Sequence, residues 1–148
     1  MITTLDELHD EWEKDGDVDK TEIGDELLKI PRLHAKYLRI LSYHNSQSKE
    51  LGINYTKAKK IRYEYYQGDL NNPDDLAKYG FDPMVKRILK TEIPLYIESD
   101  ATLLSITRKK NMHDEIASAT NSILKELNSR TYQLRSYIDY EKFINGSN

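Results

Sequence analysis

The sequence has no cysteine among its 148 residues, only four prolines and only six glycines. The lack of cysteine excludes disulfides, thiolate zinc sites and a cysteine nucleophile. All-β folds need many turns, so the scarcity of proline and glycine favours long helices instead. No run without Asp, Glu, Lys or Arg exceeds nine residues, which is too short to span a bilayer. The N-terminus also lacks a basic region followed by an apolar one. We therefore expect a soluble, intracellular, helical protein.

Charge is abundant but unevenly distributed, although the net charge is only −3. Residues 1–28 contain eleven acids and two lysines, a balance of −9. Residues 29–62 contain nine Lys or Arg and one acid, a balance of +8. An acidic block beside a basic helix suggests a polyanionic partner, whereas two solvated helix faces are the simpler explanation.

The N-terminal acidic block is predicted to form two short helices. Thr4 and Glu7 have the spacing of a capping box, which opens a first helix at Leu5. A second helix is expected from Asp19 to Lys29. Because the block is highly charged and has few apolar residues, part of it is also a candidate for disorder.

A long amphipathic helix is predicted to follow, because apolar residues recur at steps of three and four. Pro31 fits its first turn, where the missing N–H costs nothing. If the helix continues to Tyr66 it is about 55 Å long, at 1.5 Å per residue. Few strong helix formers occur in residues 45–52, which favours a kink there.

The C-terminal half is predicted to contain a helix from about Asp82 and a last helix that is capped by Ser99 or Asp100 and runs to Phe143. Two long helices with narrow apolar stripes imply burial against other copies of the chain, and an intramolecular bundle is the alternative. The stripe residues assigned to self-association are Ile116, Ile123, Leu127, Leu134 and Ile138.

These patterns divide the all-α chain into four segments. They are an acidic N-terminal segment (1–28), a basic, tyrosine-rich helix (29–68), a linker with short helices (69–98) and a long C-terminal oligomerisation helix (99–148).

No catalytic motif is recognisable. The sequence has neither a Walker-type nor a Rossmann-type glycine loop, and its serines lack a glycine-rich elbow. The four histidines are scattered and lack the i, i+4 partner of a helical zinc site, so His34 and His44 are expected to be packed or surface residues. Abundant surface carboxylates identify no acid–base pair. We therefore expect neither an enzyme nor a cofactor.

The segment 55–66 is the most informative part of the sequence, because four cations and four tyrosines fall within twelve residues. Lysine and arginine neutralise phosphates, and tyrosine rings stack on unpaired bases. A duplex exposes no base faces, so this combination favours single-stranded nucleic acid. Tyr55 and Tyr65 fall on the apolar stripe and are expected in the core. The candidate DNA-binding residues are Lys57, Lys59, Lys60, Arg62, Tyr63 and Tyr66, although cations that merely solvate the helix remain the alternative.

Residues Lys60–Gly68 read Lys-Ile-Arg-Tyr-Glu-Tyr-Tyr-Gln-Gly, which resembles Lys-Ala-Arg-Leu-Asp-Tyr-Tyr-Ser-Gly of the tailed-phage recombination mediator family UvsY. Residues 33–48 are similar to the family's preceding helix in length and character. Chain length and the C-terminal helix also fit, and residues 126–134 suggest a cyanophage-like branch. The acidic block and residues 71–83 diverge from the family.

The resemblance implies a non-enzymatic accessory protein that binds single-stranded DNA as a helical homo-oligomeric ring of six or seven copies. Such a protein would help load a UvsX-type recombinase onto DNA coated by a phage single-strand-binding protein, in the cytoplasm of the infected host cell. The family's basic motif residues fall on Lys60 and Arg62. On a helical wheel these two residues are about 200° apart, so one flat face cannot hold both.

Two other functions are compatible with the same residues. A coiled-coil structural or assembly protein would carry the basic helix only as solvated surface. A repressor of duplex DNA is less favoured, because no helix-turn-helix with a short glycine-containing turn is apparent.

Overall fold

The computed structural model describes residues 1–146, and all of its regular secondary structure is helical. The five helices are α1 (Leu5–Asp15), α2 (Ile23–Gln67), α3 (Pro73–Tyr79), α4 (Ile93–Glu98) and α5 (Ala101–Ile144). The predicted all-α fold is therefore confirmed. Positions 147 and 148 of the predicted C-terminal segment lie outside the described residues. None of the described helices combines the length and apolarity needed to cross a membrane.

The first helix begins where the capping box predicts. The Thr4 hydroxyl accepts a hydrogen bond from the Glu7 N–H at 3.1 Å. The Glu7 carboxylate in turn accepts from the Thr3 N–H at 2.8 Å, so two N–H groups that the helix cannot pair are satisfied. Leu8 on the next turn is completely buried. This part of the acidic segment is thus folded and packed.

The second helix corrects two predictions. A separate helix from Asp19 and a new helix start at Pro31 are both wrong, because α2 is continuous from Ile23 to Gln67 with Pro31 inside it. Proline removes one backbone hydrogen bond from a helix. Here it lies on an exposed face, where water can satisfy the carbonyl that is left over. Residues 45–52 are helical as well.

The helix predicted from Asp82 is also wrong, because residues 80–92 form no α-helix. Gly80 ends α3 in the left-handed conformation, with φ of 72°. The Tyr65 hydroxyl then donates to the Asp82 carbonyl at 2.6 Å, and Ile88 is buried among other apolar residues. These tertiary contacts hold the segment in an irregular path. The last helix starts directly after Asp100, as predicted.

The chain divides into two compact units, and α2 and α5 each contribute to both. The first unit contains residues 1–46 and the chain from Met112, and the second contains Gln47–Asn111. Sixteen acids and ten Lys or Arg belong to the first unit, whereas nine acids and twelve Lys or Arg belong to the second. The first unit is therefore acidic overall, and the second is basic.

Each unit has its own apolar core. The first core includes Leu8 from α1, Tyr37 and Ile40 from α2, and Ile116, Ile123, Leu124 and Leu127 from α5. The second core includes Ile88, Ile93, Ile97 and Leu103, against which Tyr55, Ala58, Tyr63, Tyr66 and Tyr96 pack. The C-terminal part of α2 therefore contributes tyrosines to the second core.

Acidic residues of α1 pair with α2 inside the first unit. The Lys36 ammonium contacts Glu11 and also lies 2.6 Å from an Asp15 carboxylate oxygen. The Tyr37 hydroxyl donates to the same Asp15 carboxylate at 2.9 Å. Burial and this carboxylate both raise the pKa of Tyr37, so its hydroxyl stays protonated. Part of the acidic segment is thus neutralised by a basic residue of α2 in the same unit.

Two histidines form a buried polar contact in the first unit. His44 is fully buried, and its Nε2 lies 2.9 Å from the Ile2 carbonyl oxygen. A carbonyl can only accept, so the His44 Nε2 carries a hydrogen and donates it. The His44 Nδ1 lies 2.8 Å from the Nδ1 of His113. One hydrogen fits between these two nitrogens, so the two rings cannot both carry a hydrogen on Nδ1.

We expect the free energy of unfolding to decrease as the pH falls below about 6.5. Burial, followed by the neighbouring His44, lowers the pKa of His113 from its ordinary 6.5. The unfolded chain then binds more protons than the folded chain between the lowered value and 6.5, so stability is lost towards acid. One such group contributes at most about 1.4 kcal/mol per pH unit. Urea denaturation between pH 8 and 5.5 measures the slope.

The variant His113→Gln should flatten this pH dependence. His34→Gln, which replaces a histidine of α2 in the same unit, should leave it unchanged. Equal slopes for the native chain and His113→Gln would show that the histidine contact does not govern the acid sensitivity.

Candidate nucleic-acid interface

The predicted DNA-binding residues lie on the part of α2 that belongs to the basic unit, and they divide between two faces of the helix. Lys57, Lys59 and Lys60 are exposed. Lys59 lies beside the Tyr55 ring, with its ammonium 6.0 Å from the ring centroid. No carboxylate within residues 1–146 forms an ion pair with these three lysines. Their charges are therefore available to an anion from solution.

Arg62 points towards the interior of the unit, and its side chain is only 13% exposed. Its Nε donates to an Asp100 carboxylate oxygen at 2.9 Å. The guanidinium also lies over the Phe81 ring, 5.2 Å from the centroid. Lys60 and Arg62 thus lie on opposite sides of the helix, as the helical wheel predicts. Lys60 faces outward and Arg62 faces inward.

Asp100 is the centre of the polar network around Arg62. Besides the Arg62 bond, its carboxylate accepts from the Tyr66 hydroxyl at 2.7 Å and from the N–H groups of Thr102 and Leu103, each at 3.0 Å. Burial opposes ionisation of Asp100, but these hydrogen bonds and the Arg62 charge outweigh it and lower its pKa. The same carboxylate, with burial as the larger cause, raises the pKa of Tyr66.

The tyrosines of segment 55–66 pack in or beside the second core. Tyr63 and Tyr66 are half-buried and pack against its aliphatic residues. Tyr55 packs there too, as predicted, and Tyr65 stacks on Phe81 with ring centroids 4.3 Å apart. Lys59, Arg62, Tyr63 and Tyr66 have i, i+3, i+4, i+7 spacing and share one side of the helix. This side therefore combines one exposed lysine with three residues that contact the unit's interior.

Sequence reasoning missed the residues that continue the exposed face upstream. Lys49, Ile53, Thr56 and Lys60 follow i, i+4, i+7 and i+11 spacing, which places them on one side of a helix. All four are exposed. The signal was present in the sequence, but Ile53 reads as one more core residue until the structure shows it 49% exposed.

The residues assigned to self-association lie largely in the core of a single chain. Ile116 and Leu127 are completely buried, Ile123 and Leu134 are 6% and 5% exposed, and Ile138 is half-buried. Within one copy, α1 and α2 cover much of this stripe, as the alternative of an intramolecular bundle predicts. Self-association through this stripe stays a prediction.

The site has the chemistry of a phosphate-binding surface. Lysine ammonium groups neutralise phosphates and release their counterions. Within residues 1–146, no group of three or more His, Asp or Glu residues is placed to hold a metal ion. An all-α chain that displays unpaired lysines on one helix has the features of a nucleic-acid-binding protein.

Comparison with known families identifies the chain further. Residues 11–147 match the family described as "Recombination, repair and ssDNA binding protein UvsY". Because the match covers most of the chain, the protein belongs to the UvsY family. The resemblance drawn from Lys60–Gly68 is thereby confirmed.

Solved structures agree on the fold. The crystal structure of the bacteriophage T4 recombination mediator protein UvsY in lattice type II has a TM-score of 0.81 and 20% identity, and covers 95% of this chain and 97% of that one. The lattice type I structure of the same protein has a TM-score of 0.80 and 20% identity, and covers 92% of this chain and 97% of that one. The lattice type IV structure has a TM-score of 0.77 and 19% identity, and covers 94% of this chain and 97% of that one. No curated protein matches the sequence.

Proposed function

We propose that this protein is a phage recombination mediator that binds single-stranded DNA through the exposed lysines of α2. The observation that carries the proposal is the display of Lys57, Lys59 and Lys60, without ion pairs among the described residues, on the basic unit of a UvsY-family chain. Arg62 and Tyr66 contribute by holding this helix against Asp100, and the half-buried Tyr63 packs against the second core.

Multivalent binding is the mechanism that fits so few charges per chain. Three lysines neutralise too few phosphates for tight binding, whereas several copies in a ring of six or seven would raise the effective concentration of each site. A strand wrapped over several copies would be drawn away from the single-strand-binding protein and presented to a UvsX-type recombinase. The place of action would be the cytoplasm of the infected host cell.

The acidic N-terminal segment has three candidate roles in this scheme, namely contact with the recombinase, contact with the coating protein, or competition with DNA for the basic helix. Glu11 and Asp15 pair with Lys36, which belongs to the acidic unit rather than to the basic unit of Lys57–Lys60. These two carboxylates are thus paired within their own unit, which makes them less available to compete with DNA for Lys57–Lys60.

Removal of the Lys60 charge tests the proposal. We expect Lys60→Ala to weaken binding to oligo-dT and to reduce the slope of log K against log salt by about 0.7, the value for one phosphate contact on a single strand. Fluorescence anisotropy over a series of salt concentrations measures both. Lys125→Ala, an exposed lysine of α5 in the acidic unit, is the matched control and should retain the full slope.

An unchanged slope for Lys60→Ala would remove Lys60 from the interface. Absence of any binding by the native chain at modest salt would instead favour a structural assembly protein.

A further inference from the structure

A shallow groove of about 640 Å³ lies on the exposed side of α2, one to three turns before Lys60. It is lined by Lys49, Gly52, Ile53, Thr56 and Lys57. All five residues belong to the basic unit. The groove therefore adjoins the proposed DNA-binding lysines on the same helix and shares Lys57 with them.

The floor of the groove is apolar for identifiable reasons. Gly52 has no side chain, so the helix surface is low at that position. The Thr56 hydroxyl donates to the Gly52 carbonyl at 3.1 Å, so its hydrogen is used within the helix. Ile53 is 49% exposed. This half-exposed isoleucine gives the groove an apolar floor.

The two ends of the groove are cationic. Lys49 and Lys57 are eight residues apart, which is about 12 Å along a helix. Both are exposed, and neither has an ion-pair partner within residues 1–146. Two positive charges that flank an apolar floor suit a strand that repeats phosphates on either side of its bases, because flexible lysine side chains can reach inward from both ends. An acidic peptide offers the charge as well, but it does not repeat anionic and flat apolar groups in strict alternation.

We propose that this groove is a nucleotide subsite for single-stranded DNA, in which Lys49 and Lys57 bind phosphates and Ile53 contacts a base. The subsite rests on the proposed function and extends it in two ways. It adds Lys49 and Ile53 to the contact residues, and it directs the strand along α2 from Lys60 towards Lys49. Apolar side chains commonly contact the thymine methyl group, so oligo-dT is a suitable probe.

Two substitutions in the full-length chain separate the charge from the apolar floor. Lys49→Ala should reduce the salt slope of oligo-dT binding by about 0.7 and weaken binding several-fold. Ile53→Gln should weaken oligo-dT binding about three- to tenfold and leave the salt slope unchanged. With an abasic oligonucleotide of equal length, Ile53→Gln and the native chain should differ by much less, because the floor then has no base to contact.

Matched controls lie outside the groove. Lys125→Ala removes an exposed lysine of α5, and Leu38→Gln replaces a 46% exposed apolar residue of α2 in the acidic unit. Circular dichroism checks that each variant retains its helix content. Both groove positions are exposed and helical, so the substitutions should preserve the fold.

The possible results distinguish a failure of the groove proposal from a failure of the proposed DNA-binding function. If Lys60→Ala loses affinity while Lys49→Ala and Ile53→Gln bind like the native chain, DNA binding stands and the groove belongs to another ligand, such as a protein. If the native chain fails to bind oligo-dT at all, the proposed function fails first. If Ile53→Gln weakens oligo-dT and abasic DNA equally, the floor does not contact bases.

Discussion

Asp100→Ala is expected to lower the free energy of unfolding by about 3–5 kcal/mol, the usual cost of leaving a buried ion without its partner. The Asp100 and Arg62 side chains are 9% and 13% exposed, so water cannot readily replace the lost carboxylate. The Tyr66 hydroxyl loses its acceptor. The N–H groups of Thr102 and Leu103 also lose their cap, which alone costs about 1 kcal/mol.

Urea denaturation followed by circular dichroism measures this loss. Asp139→Ala, which removes an exposed acid from the same helix, should change stability by less than about 0.5 kcal/mol. The double variant Asp100→Ala, Arg62→Ala should be less destabilised than the sum of its single variants, because the two side chains act on each other. A loss below about 1 kcal/mol for Asp100→Ala would contradict the network as described.

This network also affects how DNA-binding experiments on Arg62 are interpreted. Because the Arg62 Nε bonds to Asp100 and the side chain is only 13% exposed, we expect Arg62→Ala to weaken DNA binding by loosening α2 rather than by removing a phosphate contact. Such a variant should lose stability together with affinity, whereas Lys60→Ala should lose affinity alone.

Leu127→Ala is expected to cost about 2–5 kcal/mol of stability, the range for large-to-small substitutions in cores. Leu127 is completely buried in the first core, in the same cluster as Leu8 and Tyr37. The loss should be the same at different protein concentrations, because the cavity forms inside one copy. Chemical denaturation at two or three concentrations, combined with native mass measurement, tests this.

The exposed neighbour Lys125 provides the control on the same helix, and its replacement by alanine should stay within about 0.5 kcal/mol of the native chain. If Leu127→Ala retained its unfolding midpoint but split the native particle into smaller species, the residue would belong to a contact between copies. That result would support the interpretation of the stripe as an oligomerisation surface.

Local signals in the sequence were sufficient for the helix ends that depend on short-range chemistry. The capping box at Thr4 is predicted outright and the cap of α5 is predicted as Ser99 or Asp100, because such a cap satisfies N–H groups two or three residues away. The helix start predicted at Pro31 was wrong, because the effect of a proline on a helix depends on whether the carbonyl that loses its hydrogen bond faces water. The irregular path after Asp82 depends on Tyr65, which is 17 residues distant, and no local pattern reports that contact.

The candidate site was predictable in composition but not in orientation. The cluster of cations and tyrosines predicts residues 55–66 of α2 as the candidate site, and the helical wheel separates Lys60 from Arg62. Which side faced outward depended on Asp100, 38 residues after Arg62. The periodic stripe of α5 had the same limitation, because spacing shows that a face is apolar without showing whether its own chain or another copy covers it.

The link between Asp100 and α2 has a dynamic consequence. Because one carboxylate joins the Arg62–Tyr66 turn to the first turn of α5, neither turn can fray without releasing the other. Their amide hydrogens should therefore exchange with solvent as a single cooperative element. The last turns of a helix ordinarily open first. Here we expect the amide hydrogens of the Arg62–Tyr66 turn to be protected as strongly as those of the second core.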